Sequence, residues 1–189
     1  MCGIWALINK TNITTCDISK YLNDFWTTIH RGPDNSKLMT FDNTFIGFHR
    51  LAIIDTSMHS NQPFILQDGE NTIVFICNGE IYNYKELDTM YNLDINGSDC
   101  MTIPKLYIKM GSTRWLQLFK KEIKGEFAFT MFVFNSMNRL SSYYVGRDMI
   151  GVRPLYTVKN NMMLDIYSSE IKGLQSYEND IVEFTPGTI

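Results

Sequence analysis

The ten residues Gly125–Phe134 (Gly-Glu-Phe-Ala-Phe-Thr-Met-Phe-Val-Phe) constrain the fold of this chain more than any other stretch. The run is aromatic and partly alternating, and its only charge is Glu126, so it reads as a central strand. Residues 135–138 read as its turn and 140–146 as its return strand. The same signature recurs at residues 4–9, 45–54, 72–77 and 163–167, and Gly146-Arg147-Asp148 and Gly151-Val152-Arg153-Pro154-Leu155-Tyr156 read as a turn-rich connection into another strand. A last short strand and turn are expected over 183–187.

Between these runs the apolar period changes. Asp17 can cap a helix carrying Ile18, Tyr21, Leu22, Phe25, Trp26 and Ile29 at helical spacing. His30-Arg31-Gly32-Pro33-Asp34 ends it. Tyr84–Tyr91 and residues 101–110 also read as helices, the latter with Pro104 in its first turn. Ser112 can cap a short helix with Trp115, Leu116 and Phe119, and Ser168 or Ser169 another running to Leu174. Strands outnumber long helices and hairpin turns dominate. The expected class is therefore α+β, with largely antiparallel sheets and helices on their faces. The chain has 189 residues, 44% of them hydrophobic, and shows no repeat or linker, so it reads as one domain.

The net charge of −3, without any basic run, speaks against nucleic acid as a partner. No stretch is long and apolar enough for a membrane span or a signal-peptide core. The four cysteines form no CxxC pair, and a reduced, cytoplasmic setting is expected. There Asn12-Ile13-Thr14 would have no meaning as a glycosylation acceptor. His30, His49 and His59 lack metal-ligand spacing, so no metal is expected.

Four places can carry chemistry, and each has a plainer reading beside it. Cys2 is either a small buried hydrophobe or, once Met1 is removed, a thiol beside its own α-amine, which is nucleophile and base on one residue. Arg50 sits in an apolar strand, either in a structural ion pair or as a fork for a carboxylate. Asn78-Gly79 is either a hairpin turn after a strand or a pair of donors, side-chain amide and backbone N–H, for an oxyanion. Asp99 is either a helix cap or a carboxylate for a substrate ammonium. The pattern alone does not bring these residues together.

Taken with their neighbours, the residues resemble a known family. The runs are Met1-Cys2-Gly3-Ile4, His30-Arg31-Gly32-Pro33-Asp34, His49-Arg50-Leu51-Ala52-Ile53-Ile54-Asp55, Asn78-Gly79-Glu80-Ile81-Tyr82-Asn83 and Gly97-Ser98-Asp99, then Gly125-Glu126-Phe127-Ala128-Phe129, Gly146-Arg147-Asp148, Arg153-Pro154-Leu155-Tyr156 and Ser169-Glu170. In this order and spacing they resemble the glutaminase domain of class II glutamine amidotransferases, in the glutamine-hydrolysing asparagine synthetase branch.

The resemblance implies an N-terminal nucleophile hydrolase fold, a four-layer αββα sandwich of two antiparallel sheets between helical layers. It spans residues 1–189 and implies glutamine as substrate, with Cys2 as nucleophile and its α-amine as base. Asn78 and Gly79 would form the oxyanion hole. Arg50 would hold the glutamine carboxylate, and Asp99 with Glu80 its ammonium. A synthetase domain or subunit would receive the ammonia. Its ATP loop has no match here, so ATP and Mg are expected only of that part and no cofactor of this chain. A glutaminase of another class II amidotransferase and a non-catalytic glutamine-binding module are the alternatives. Met101 departs from the family, which has Glu there. If Met1 stayed, Cys2 would lose its intrinsic base.

Overall fold

In a computed structural model the chain is described over residues 1–10, 15–52, 60–159, 163–177 and 180–189, apart from the side chains at 15–18 and 20. The expectations that fall on Asn12-Ile13-Thr14, the Asp17 cap, Ile18, Ile53-Ile54-Asp55 and His59 lie outside the described residues. Ten strands and three helices are described: β1 (Gly3–Asn9), α1 (Thr15–Thr27), β2 (Asn35–Phe41), β3 (Thr44–Arg50), β4 (Phe64–Asp68), β5 (Asn71–Ile81), α2 (Tyr84–Tyr91), α3 (Thr102–Glu122), β6 (Gly125–Phe134), β7 (Leu140–Arg147), β8 (Tyr156–Val158), β9 (Leu164–Ser168) and β10 (Ile181–Glu183). Short 3-10 turns lie at Ile29–Arg31, Asp99–Met101 and Ile171–Tyr177.

The strands form two antiparallel sheets, a six-stranded one in the order β10-β8-β9-β1-β3-β2 and a four-stranded one in the order β4-β5-β6-β7. Because side chains alternate along a strand, residue parity sorts the core into layers. Ile4, Ala6 and Ile8 of β1 and Ile46 and Phe48 of β3 meet Val74 and Ile76 of β5 and Ala128, Phe132 and Phe134 of β6 between the sheets. The odd residues Trp5 and Leu7 turn outward onto Phe25 of α1 and Leu174 of the last 3-10 turn. On the far side Ile73, Phe75 and Cys77, with Phe127, Phe129 and Met131, pack under Leu87 of α2 and Ile103, Leu106, Trp115 and Phe119 of α3. The result is helix, sheet, sheet, helix, the expected αββα order. β6 is wholly buried from Phe127 to Phe134 and is covered on both faces.

Three local expectations need correction. Asn78-Gly79 is not a turn: β5 continues to Ile81, and Gly79 pairs with Phe127 in mid-ladder. The glycine serves close strand approach, since a Cβ there would lie 2.2 Å from the Glu126 carbonyl oxygen. The strand read over 45–54 ends as β3 at Arg50. The last strand runs Ile181–Glu183, earlier than expected. The expected break before Ser112 is real, because Gly111 takes φ 71°, ψ 161° and interrupts α3. Among the described residues no helix is long and apolar enough to cross a membrane.

Candidate active site

The layering that builds the core also aims the site. Cys2, Arg50 and Asn78 share the parity of the residues between the sheets and stand at one end of that interior. The β1–β3 register, with Gly3 opposite His49, brings Cys2 level with Arg50. A cavity of about 330 Å³ opens there, lined by Cys2, Arg50, Asn78, Gly79, Glu80 and Asp99, with Leu51 and Gln62 among its other walls. All six candidate residues from the sequence therefore surround one space.

Cys2 is tied down along its length. Its carbonyl accepts a 2.9 Å hydrogen bond from Arg31 Nε, while Arg31 Nη1 donates to Glu170 Oε1 at 3.0 Å. The next residues are held by Ser169, whose Oγ accepts from the Ile4 N–H at 2.9 Å and whose N–H donates to the Ile4 carbonyl at 3.0 Å. The thiol accepts the Leu51 N–H, N to Sγ 3.4 Å, and donates to the Leu51 carbonyl at 3.6 Å. Burial pushes the thiol above its ordinary pKa, and the Leu51 N–H draws it back in part.

Asn78 is 2% exposed, and its amide nitrogen Nδ2 is buried without a protein hydrogen-bond partner. Such a donor costs stability and calls for an explanation. Gly79 follows it on the cavity wall, and its carbonyl accepts a weak bond from Cys100 Sγ at 3.5 Å. Arg50 is 7% exposed and donates from Nη1 to Asn61 Oδ1 at 2.5 Å.

Asp99 Oδ2 accepts the N–H of Ile81, the last residue of β5, at 2.6 Å. The cap of the following turn is Ser98, whose Oγ accepts from the Cys100 N–H, so the capping reading of Asp99 gives way to one that ties it to β5. Burial raises the Asp99 carboxyl above its ordinary pKa despite that bond. Glu80 is exposed at the cavity rim. Met101 packs against the core between sheet and helices.

His49, beside Arg50 in the sequence, has a structural place. His49 is fully buried, stacked on Phe25 with ring centroids 4.1 Å apart and hydrogen-bonded through both nitrogens, to Ser36 Oγ at 2.7 Å and the Phe25 carbonyl at 3.0 Å. Among the described residues no group of three His, Cys, Asp or Glu side chains could hold a metal ion. Arg31, Ser169 and Glu170 lay inside the recognised runs without an assigned role. Leu51 lay inside a recognised run too, but its backbone had no assigned part, and Asn61 and Gln62 carried no sequence signal, because these contacts depend on the approach of β3 and β5.

A family model described as a glutamine amidotransferase domain matches residues 1–184. The asparagine synthetase [glutamine-hydrolyzing] of Zea mays is 32% identical over 99% of this chain and 30% of its own length. The probable asparagine synthetase [glutamine-hydrolyzing] of Acanthamoeba polyphaga mimivirus is 34% identical over 98% of this chain and 33% of its own. The chain thus spans 30–33% of the length of these relatives. Among solved structures, an allosteric regulatory enzyme of purine biosynthesis superposes with a TM-score of 0.76 at 17% identity, over 98% of this chain and 45% of that one. The glutamine phosphoribosylpyrophosphate amidotransferase of B. subtilis does so with a TM-score of 0.75 at 18% identity, over 98% and 46%. At such identities the likeness is one of fold.

Proposed function

The chain belongs to the glutamine amidotransferase domain family, and from that premise we propose that it hydrolyses glutamine to glutamate and ammonia with Cys2 as nucleophile. The observation that carries the reading is the buried, unpartnered amide of Asn78 on the wall of the cavity that holds the Cys2 thiol. An unfilled donor beside a nucleophile is what an oxyanion requires.

In this reading Met1 is removed, and the α-amine of Cys2 takes the thiol proton. The thiolate attacks the side-chain carbon of glutamine. The carbonyl oxygen gains the charge and is met by Asn78 Nδ2 and the Gly79 N–H. Collapse breaks the C–N bond, the α-ammonium returns the proton to the leaving nitrogen, and ammonia departs. A glutamyl thioester remains. Water, deprotonated by the same amine, adds to the thioester and releases glutamate and the thiol. Arg50 holds the α-carboxylate of glutamine, and Asp99 with Glu80 holds its ammonium. A ligand lacking either end would forgo its contact with Arg50 or with Asp99 and Glu80, which favours glutamine over simple amides.

The names of the sequence relatives support asparagine formation as the use of the ammonia, with a synthetase domain or subunit as acceptor. ATP and Mg would belong to that acceptor.

Intact mass before and after incubation with 6-diazo-5-oxo-norleucine tests the reading, alongside an ammonia-release assay. Loss of Met1, one adduct on Cys2 and glutamate formation are expected. A processed, folded chain that takes no adduct and releases no ammonia would overturn it.

A further inference from the structure

We infer that Asn61 and Gln62 are positioning residues of this site, Asn61 setting the substrate grip and Gln62 setting the oxyanion donor. The inference rests on the glutaminase reading and adds the residues that hold its geometry.

β4 and β5 pair antiparallel from Phe64 opposite Phe75, and that register, carried two residues further, sets Gln62 opposite Cys77. The backbone pairing of the named strands stops before this point, and the side chain of Gln62 takes it over. Its Nε2 donates to the Cys77 carbonyl at 3.0 Å, and its Oε1 accepts the Cys77 N–H at 2.6 Å. Both ends of one amide are thus spent on one residue of β5, and Gln62 is only 6% exposed. Cys77 immediately precedes Asn78, whose Nδ2 has no protein partner to fix it. The position of that donor is set by the strand that carries it, which β6 pairs along one edge and the Gln62 amide holds along the other.

The neighbouring residue reaches the other half of the cavity. Asn61 Oδ1 accepts from Arg50 Nη1 at 2.5 Å. A long cationic side chain at a cavity wall has many rotamers, and a fixed acceptor on one nitrogen selects among them. The consecutive amides Asn61 and Gln62 therefore couple the orientation of the carboxylate fork to that of the oxyanion donor. An ordinary loop would need neither contact.

The two roles predict opposite kinetic signatures. Gln62→Met keeps the length and volume but loses both hydrogen bonds. It should lower kcat about 10–100-fold, the scale of a small misplacement of catalytic groups, while the KM for glutamine moves less than about threefold. Gln62→Glu keeps the acceptor for the Cys77 N–H and should lie between Met and the native residue. Asn61→Ala should raise KM about tenfold and leave kcat within about threefold, as expected of lost ground-state binding.

For each variant, alkylation of Cys2 by 6-diazo-5-oxo-norleucine is compared with alkylation by iodoacetamide, which needs no glutamine recognition. A selective loss of the first supports positioning. Kinetics unchanged in both Gln62 variants, or kcat and KM shifted alike in the Gln62 and Asn61 variants, would overturn the inference. If Gln62→Met does not fold, Gln62→Glu decides. A native chain that fails to hydrolyse glutamine at all would instead remove the glutaminase reading, so the two failures are distinct.

Discussion

The Cys2 thiol lies against the backbone of Leu51, within 3.4 Å of its nitrogen and 3.6 Å of its carbonyl oxygen. The two contacts favour opposite states. The N–H stabilises a thiolate, whereas the carbonyl can only be met by a thiol. Deprotonation strengthens one and abolishes the other, so the thiol can ionise in place without being held ionised in the resting chain.

Both contacts involve sulfur and are weak, so the fold does not depend on them. Cys2→Ala should reduce glutamine hydrolysis below about a thousandth of the native rate, in line with removal of other nucleophiles. Its melting temperature should stay within about 3 °C of native, as for the loss of one small, half-buried atom at the edge of the core. Ammonia release and a thermal melt check this, and retained hydrolysis would end the nucleophile assignment.

Arg50→Ala removes the cation from the cavity wall. Hydrogen bonds to charged groups contribute about 1.5–3 kcal/mol, so KM for glutamine should rise about 10–100-fold. Arg50→Lys should recover little, because a point charge cannot reproduce a two-pronged fork. A large fall in melting temperature with an unchanged KM would return Arg50 to a structural role.

Gly79 is held by its neighbours rather than by a turn. A Cβ at this position would meet the Glu126 carbonyl at 2.2 Å and Phe127 Cα at 2.5 Å, both backbone atoms of the paired strand. Gly79→Ala should therefore cost at least about 2 kcal/mol, in the range of overpacking a filled core, and should move the Asn78 donor as well. A urea melt and the hydrolysis rate should fall together.

The same glycine marks where sequence reading reaches its limit. The strands were legible because the apolar, β-branched and aromatic runs of β1, β5 and β6 are local properties of the chain, their four-layer order came with the family resemblance, and the break at Gly111 was legible from helix grammar. Asn78-Gly79 carries a turn signal at equal strength, and only the approach of β6 decides against it. Cys2, Arg50, Asn78 and Asp99 could be nominated from residue type and family resemblance. Their convergence required the β1–β3 register. The side-chain contacts of Asn61 and Gln62 join segments that no periodicity links, and two polar residues before a proline look like any loop.

Asp99 binds its proton more tightly in the folded chain than in the unfolded one, because burial outweighs the Ile81 N–H. Below the ordinary carboxyl range both states are protonated. As pH rises through that range the unfolded chain ionises first, and folding loses stability until the folded group ionises too. At neutral pH this carboxylate is therefore a cost to the empty site, which a bound ammonium would relieve. Asp99→Asn, which keeps an acceptor for Ile81, should melt at the native temperature or above it without glutamine. Its KM should nevertheless rise about tenfold or more, as for a lost charged hydrogen bond. A variant both less stable and unchanged in KM would contradict the role.

His49 supplies the opposite pH signature from the side of β3 that faces α1, turned away from the cavity. Its ring is buried against Phe25, donates Nε2–H to the Phe25 carbonyl and uses Nδ1 toward Ser36 Oγ. Burial lowers its pKa below the ordinary value of 6.5, more than the Phe25 carbonyl raises it. The folded chain thus prefers the neutral ring, and its stability is complete above the ordinary histidine range. As pH falls below about 6.5 the unfolded chain gains a proton that the folded one resists, and stability declines until the folded ring also protonates. Because β3 carries His49 next to Arg50, loosening this ring should reach the cavity. The melting temperature should fall between pH 7 and pH 5, and His49→Gln, which cannot titrate, should flatten that slope while lowering stability at pH 7 through lost packing. Parallel melts of the two chains across this range check it, and equal slopes would show that another group carries the acid sensitivity.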